Sequence, residues 1–423
     1  MGVFDAGDKV RIYQYKPSKI ELLLPGKDPE VIPNERLRKI SIVNDYENAY
    51  FPIFSMEIVL EASRYYKIIK QKTNVKFHLV INKFYHYNGE QDNSLNYKWL
   101  DDTFELILDD NDEDNKSAQK QEEASTDFTT VTKSDVNDLN QVDNKVEFYM
   151  FKSSLIKGMK QTVNKVLQNV TITDAIAYIC GEAGIKNLLM TPPVNSKKYE
   201  SLVIPPLSRC KAIAFLDTYY GLYKTGSMIY YGLNRSYILK YIGGCTAYEK
   251  KEVKNTSFVI PSQTSIHTTE NGVLFKKNKT TTNYLVCDNT STANRNDSIS
   301  NDVINGNDVT YVDSLSGDMD ESESDAEGLQ GNTTTVKVNN TENSWLGQTY
   351  TAQSSKKNNV IDLRINNADI DMIEPNKKMN VVYEDSQITN KYSGDYILAY
   401  ASHEMTKDGD YLGVSSVVRL KKG

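Results

Sequence analysis

The sequence predicts a mainly β protein with α+β content: β-rich blocks toward either end and a mixed α/β block between them. Two observations carry this. Apolar and polar residues alternate in runs near both ends, the period of half-buried strands. In the middle, a capped segment carries its apolar residues at helical spacing. At 423 residues the chain is too long for one ordinary core, so several domains are expected. Its apolar fraction, 39%, is low because long polar stretches dilute the structured blocks.

Taken in order, residues 1–108 read as β-rich. Phe54, Met56, Ile58 and Leu60 alternate, as do Val75, Phe77, Leu79 and Ile81, and FELIL (104–108) closes the block. Pro17, Pro25, Pro29, Pro33 and Pro52 are expected between or at the ends of these runs, where no ladder bond is lost. DDNDEDNKSAQKQEEASTDF (109–128) then carries eight acids against two lysines. Such a stretch buries too little surface to offset chain entropy and reads as a flexible insertion. Residues 296–336 behave alike, with ten acids and no Lys or Arg.

Between the insertions, Thr171 and Asp174 give a capping pattern, Ala175, Ile176, Ile179, Cys180 and Ala183 share a face, and Gly184 is placed to end the helix. A second helix runs over about Ser208 to Tyr220, with Pro205-Pro206 fixing its entry and Gly221 stopping it. Ile213, Leu216 and Tyr220 form its apolar face, and Asp217 is expected to point away from the core. A hairpin around Gly232-Leu233-Asn234-Arg235 follows. The last block alternates at Ile361, Leu363, Ile365 and at Met379, Val381, Tyr383, then supplies two more strands, with turns at 374–376, 393–395 and 407–410.

The chemistry that the sequence suggests is sparse. A net charge of −7 argues against a nucleic-acid reader. No signal peptide or apolar membrane span is readable, so synthesis in the cytoplasm is expected. Cys180, Cys210, Cys245 and Cys287 are widely spaced and read as free thiols. His78, His86, His267 and His403 form no ligand pair, and His78 is expected on the solvent side of its strand. Asp110, Asp112 and Asp114 mimic the start of a calcium loop, but Asn115 replaces its glycine and Gln121 its closing glutamate. Tyr219, Tyr220, Tyr223, Tyr230, Tyr231, Tyr237 and Tyr241 suit packing and interfaces, with sugar stacking as the rival use. Asp217 and Glu182 are carboxylates without a pairing pattern. No catalytic, cofactor-binding or metal-binding residue is assigned, and none is expected.

NDYENAYFPIFSMEIVL, TITDAIAYICGEAGI, the stretch from Ile204 to Leu239 and DLRINNADIDMIEPNKKMNVVYED, followed by GDYILAYASHEM, together resemble the baseplate hub proteins of contractile-tailed bacteriophages. These form one group with late-control hub proteins and type VI secretion spikes. The resemblance implies two tube-like β-barrel domains with an intervening α/β domain; the two acidic low-complexity insertions, read from composition, depart from that plain pattern. It divides the chain into an N-terminal barrel (1–108), an acidic insertion (109–145), an α/β hub domain (146–239), strands given to the second barrel (240–295), a second acidic insertion (296–345) and a C-terminal barrel (346–423). It further implies a homotrimer whose six barrels meet the hexameric tail tube. A central spike or tail lysin and a tape-measure protein would be its partners, and DNA would pass through the lumen without specific binding. The virion baseplate is the implied location, after assembly in the host cytoplasm and without stable membrane insertion. The rival readings are a carbohydrate-binding tail adhesin and a cell-wall hydrolase.

Overall fold

The computed structural model describes residues 11–71, 73–87, 90–91, 97–107, 143–183, 185, 187–223, 227–240, 255–260, 275–277, 282–286, 289–294, 309–313, 319–322, 334–338, 359–366, 368–375, 379–383 and 393–422. The first strands are β1 (Arg11–Leu23), β2 (Leu37–Asp45), β3 (Ile53–Glu61), β4 (Lys76–Tyr87), β5 (Tyr97–Leu106) and β6 (Asp143–Lys152), with helix α1 (Ala62–Gln71) after β3. The middle holds α2 (Ser153–Lys160), β7 (Thr162–Thr171), α3 (Ile172–Ala183), β8 (Leu188–Met190), β9 (Lys198–Ser208), α4 (Arg209–Tyr220), β10 (Ser227–Tyr231) and β11 (Ser236–Lys240). Toward the C-terminus come β12 (Asn255–Ile260), β13 (Asn359–Asn366), β14 (Met379–Tyr383), β15 (Gly394–Asp408) and β16 (Tyr411–Lys422).

Eight of these strands close a barrel in the order β15-β2-β3-β6-β5-β4-β1-β16, and β16 returns to β15. The alternation read from sequence is the alternation of its walls. Phe54, Met56, Ile58 and Leu60 of β3 point inward, as do Phe77, Leu79 and Ile81 of β4. Phe104 and Phe148 stack against Phe54 and Phe77, with ring centroids 4.3 and 5.5 Å apart. Ile68 of α1 packs against the same core, as do Met405, Leu412 and Val414 of the C-terminal hairpin. Residues 143–152 and 394–422 therefore complete the barrel that the resemblance assigned to 1–108. Local alternation identifies a strand, but it does not say which distant strand lies beside it.

Pro17 lies inside β1, not at its end. The register against β4 shifts between Pro17 and Lys19, a bulge where the missing N–H of proline breaks no ladder bond.

The hairpin β15–β16 continues beyond the barrel into a second group of strands. Its outer end pairs with β14 through β15 and with β13 through β16; β14 pairs with β12, and β13 with Asn289–Asn294. Phe258, Ile361, Leu363, Ile365, Met379, Val381, Leu398, Val418 and Leu420 share one buried cluster, so these two wings fold around a common core. The crossing from one core to the other is marked by a register shift between Leu398 and Tyr400. There the carbonyl of Ala399 accepts a 3.0 Å bond from the Tyr46 N–H of the loop after β2. Gly409, at φ 55, begins the two-residue turn of the hairpin, where a left-handed conformation suits the twist of the flanking strands.

Inside the acidic stretch expected to be an unstructured insertion, Val309–Asp313 pairs with Met319–Ser322 and Thr334–Val338 in a small separate sheet. Most of residues 109–145, including the calcium-loop mimic, lie outside the described residues.

The middle block has its own core. The capping box forms as read: Thr171 N–H donates to Asp174 Oδ2 at 2.9 Å, and Thr171 Oγ1 accepts from Asp174 N–H at 3.2 Å. Ile172, Ala175, Ile176, Ile179 and Cys180 of α3 are buried against Ala212, Ile213 and Leu216 of α4. Gly184 lies outside the described residues. Gly221, at φ 71, ends α4 as expected. Pro205-Pro206 does not form its entry. It belongs to β9, where the pairing with β7 shifts between Ile204 and Leu207, and Ser208 caps the helix instead.

Two measurements follow from this architecture. A chain ending at residue 393 lacks two of the eight barrel strands and exposes the inward faces of β1 and β2; it is expected to show no cooperative unfolding in urea. A sharp transition from that chain would show the barrel to be independent of the hairpin. The second concerns His403, inward-facing and bonded at 2.8 Å to Ser416. Burial lowers its pKa from 6.5 to about 4, so the unfolded chain takes up this proton first as pH falls. Stability from this group is therefore lost as pH drops through that window. His403→Gln is expected to flatten this part of the pH–stability curve, read by urea melts between those pH values.

Candidate functional site

The barrel, the second core and the α/β block meet at one junction, where buried polar groups from distant segments, among them Asn44, Lys83 and Asp369, come together. β4 presents inward-facing residues at Phe77, Leu79 and Ile81, and Lys83 keeps the same parity; it is only 2% exposed. A lysine at such a position needs a partner. The segment after β13 supplies two. Lys83 Nζ donates to Asp369 Oδ1, and it is 2.6 Å from Asp371 Oδ2. Asp371 also accepts from Tyr97 Oη at 2.6 Å and from Trp99 Nε1 at 2.9 Å. Asp371 N–H donates to Asp369 Oδ1 at 3.0 Å, and Ile370 N–H donates to Tyr15 Oη at 3.2 Å.

The electrostatics of the cluster follow from this geometry. Burial by itself would lower the Lys83 pKa, but Tyr15, Asp369 and Asp371 outweigh it and leave the pKa above the usual value. Burial would likewise raise Asp371, yet Lys83, Tyr97 and Trp99 hold it below the usual range. The buried Tyr15 phenol is pushed far upward, chiefly by desolvation. Strands β1, β4 and β5 of the barrel are thus tied through polar atoms to residues 369–371.

A second set of contacts runs from the loop after β2. Asp45 Oδ1 accepts from the N–H groups of Glu47 and Asn48, which fixes the turn. Tyr46 then reaches the second core and meets Tyr230 edge-on at 4.6 Å, while Tyr230 Oη donates to the buried Asn44 at 2.9 Å. Phe51 stacks on Tyr231 at 5.3 Å. Gly232 opens the loop between β10 and β11, and a Cβ there would lie 2.7 Å from the Arg235 carbonyl. Tyr223, Tyr230, Tyr231 and Tyr237 are all buried, so these rings pack the junction and offer no face to a sugar. Tyr219 is exposed and lies against Phe215; Tyr241 lies outside the described residues.

The remaining sequence candidates are not brought together. Asp217 does not point away from the core, as had been expected: its oxygens accept from Leu222 N–H at 3.1 Å and from Ser227 Oγ. Desolvation raises its pKa. The helix end needs this acceptor because the chain reverses there into β10. Glu182 is exposed and bonded to Arg209, at the other end of α4. His78 lies between Glu21 and Asp101, 2.9 Å from each, on the outer side of the barrel. Those carboxylates raise its pKa. The side chains of His86 and His267 lie outside the described residues. Cys180 and Cys210 are buried free thiols. Among the described residues, no three His, Cys, Asp or Glu side chains are arranged to hold a metal ion, and no helix is long and apolar enough to cross a membrane. A cleft of about 320 Å³ lies between β6, α2 and the β10–β11 loop. Its Lys152 is already engaged by the Leu233 carbonyl at 2.6 Å and by Asp102 at 2.8 Å.

Sequence reasoning passed over the Lys83–Asp369–Asp371 cluster. The available signal was parity: Lys83 continues the inward series of Phe77, Leu79 and Ile81. The carboxylates that answer it are 286 and 288 positions away.

Asp217 provides the test of this region. Asp217→Asn keeps an oxygen for Leu222 N–H and offers its Nδ2 to Ser227 Oγ, which can accept, and is expected to change stability little. Asp217→Ala leaves both donors unanswered and is expected to cost about 1–3 kcal/mol in urea melts. Equal, negligible effects would show that the carboxylate does not hold this turn.

The fold is shared with solved tail proteins. A tail protein from Neisseria meningitidis MC58 matches at a TM-score of 0.51 and 11% identity, over 96% of this chain and 96% of that one. The 43 kDa tail protein of prophage MuSo2 from Shewanella oneidensis matches at 0.51 and 11%, over 95% and 98%. No curated protein sequence matches the chain. The sequence profile of the family described as bacteriophage PBS1 gene 109 protein matches residues 13–423, nearly the whole length, and the chain belongs to that family.

Proposed function

We propose that this protein is the structural baseplate hub of a phage tail, a homotrimeric adaptor between the hexameric tail tube and the central spike. The observation that carries the reading is the hairpin β15–β16, which builds a closed eight-stranded barrel at one end and continues into a second group of strands with its own core at the other. In this reading that second group is the second tube-like barrel. Three copies then present six barrels, which matches a six-fold tube on one side and a three-fold spike on the other. Membership of a phage protein family and a fold shared with tail proteins support the same assignment.

The role is architectural. The candidate carboxylates stand apart, and most of the tyrosines of the β10–β11 region are internal, so neither the hydrolase nor the adhesin reading gains an observation. The net charge of −7 suits a wall past which DNA slides, because phosphate binding needs lysine and arginine. The partners are the tail tube protein, the central spike or tail lysin and the tape-measure protein, in a virion baseplate assembled in the host cytoplasm.

Native mass spectrometry of the purified protein, alone and with the tail tube and spike proteins from the same genome, tests this reading. A trimer in at least one mixture, retained on tube assemblies, is the expected result. A monomer or dimer in every mixture would contradict the hub assignment.

A further inference from the structure

The Lys83 cluster brings together a buried amine, a buried carboxyl group and a second, partly exposed carboxylate among aromatic side chains. We propose that Lys83 and Asp369 become covalently joined, Nζ to Cγ, in an isopeptide bond, with Asp371 carrying the proton. Attack begins from the minor form in which the Lys83 ammonium has passed a proton to Asp371, against the bias of the ion pair, and the freed amine adds to Cγ of Asp369. The Nζ–Cγ bond forms, a Cγ–O bond of Asp369 breaks, and protons from Nζ leave with that oxygen as water, Asp371 acting as their relay. Ammonium plus carboxylate becomes amide plus one water, so no oxidant, nucleotide or cofactor is required.

The geometry supplies each part of this reaction. Lys83 Nζ contacts Asp369 Oδ1 and is 2.6 Å from Asp371 Oδ2, so nucleophile, electrophile and proton carrier are within direct reach. Asp371 N–H lies 3.0 Å from Asp369 Oδ1 and stabilises the charge that gathers on that oxygen during attack. Tyr97 and Trp99 hold the Asp371 carboxylate in place at 2.6 and 2.9 Å. Lys83 and Asp369 are 2% and 7% exposed. Burial of the two reacting groups limits the water that would reverse the condensation, while the Asp371 side chain, 34% exposed, gives the released water a way out. The bond would tie β4 of the barrel to the turn at 369–371, across 286 positions of sequence. It rests on these side chains alone and does not depend on the hub assignment.

The test is the mass of the purified full-length chain, followed by protease mapping. The expected result is a chain lighter than its sequence by one water, with a branched peptide that joins the segments holding Lys83 and Asp369. Asp371→Asn retains the shape of the site but cannot relay the proton, and it is expected to give the full mass and two separate peptides. Folded wild-type protein of full sequence mass, with Lys83 and Asp369 in separate peptides, overturns the proposal and leaves an ion pair. A water lost elsewhere, such as an imide within one peptide, overturns it equally. The wild-type mass decides the matter even if the variant fails to fold.

Discussion

Two strands of this protein serve two cores at once, and the rest of the structure depends on that sharing. β15 runs beside β2 from Tyr400 to Thr406 and beside β14 from Gly394 to Tyr396. β16 pairs with β13 from Ser415 to Lys421 and meets β1 at Leu412. Met405 and Leu412 therefore fill one core while Leu398 and Leu420 fill the other. A continuous ladder cannot face two cores without bending. The shift at Ala399 supplies the bend, and the carbonyl there is answered by the Tyr46 N–H from the loop after β2.

Around that hairpin the junction is fastened by polar groups that work only in one arrangement. Lys83 with Asp369 and Asp371, Tyr230 with Asn44, and Lys421 with Glu47 each connect segments far apart in sequence. Buried ion pairs gain little over apolar packing, but breaking one side of such a pair costs about 3–5 kcal/mol. Their contribution here is to fix how the barrel meets its neighbour. The α/β block adds the apolar counterpart, since Met228, Tyr230, Tyr237 and Leu239 lie in the second core and Ile229, Tyr231 and Ile238 in its own. β10 and β11 thus serve two cores with their two faces, which explains why the segment is rich in tyrosine. Each ring covers apolar surface while its hydroxyl can meet a polar group at the boundary, as Tyr230 does at Asn44.

What the sequence made legible was local. Strands β3, β4 and β13, the capping box of α3 and the stop of α4 at Gly221 all follow from residues within a few positions of one another. The pairing that makes a barrel was not legible, because β16 must find β1 across nearly the whole chain and alternation is the same for any neighbour. Prolines misled for a related reason. Pro17 and Pro205-Pro206 read as boundaries, yet bulges admit them within β1 and β9. Asp217 was misjudged because helical spacing gives the face of a residue but not the path of the chain after the helix. That path brings Leu222 and Ser227 back onto its carboxylate. The junction cluster was hidden by distance, although Lys83 stood at an inward position throughout.

The central claim, that the shared hairpin makes the barrel and the second group of strands one cooperative structure, is tested most directly by native-state hydrogen exchange on the full chain. The account predicts that paired amides of residues 400–406, in the barrel, and of residues 415–421, in the second group, exchange only through global unfolding. Their opening free energies should be equal and should fall together as urea is added. Exchange of 415–421 through a separate, lower-energy opening, with 400–406 still protected, would contradict it.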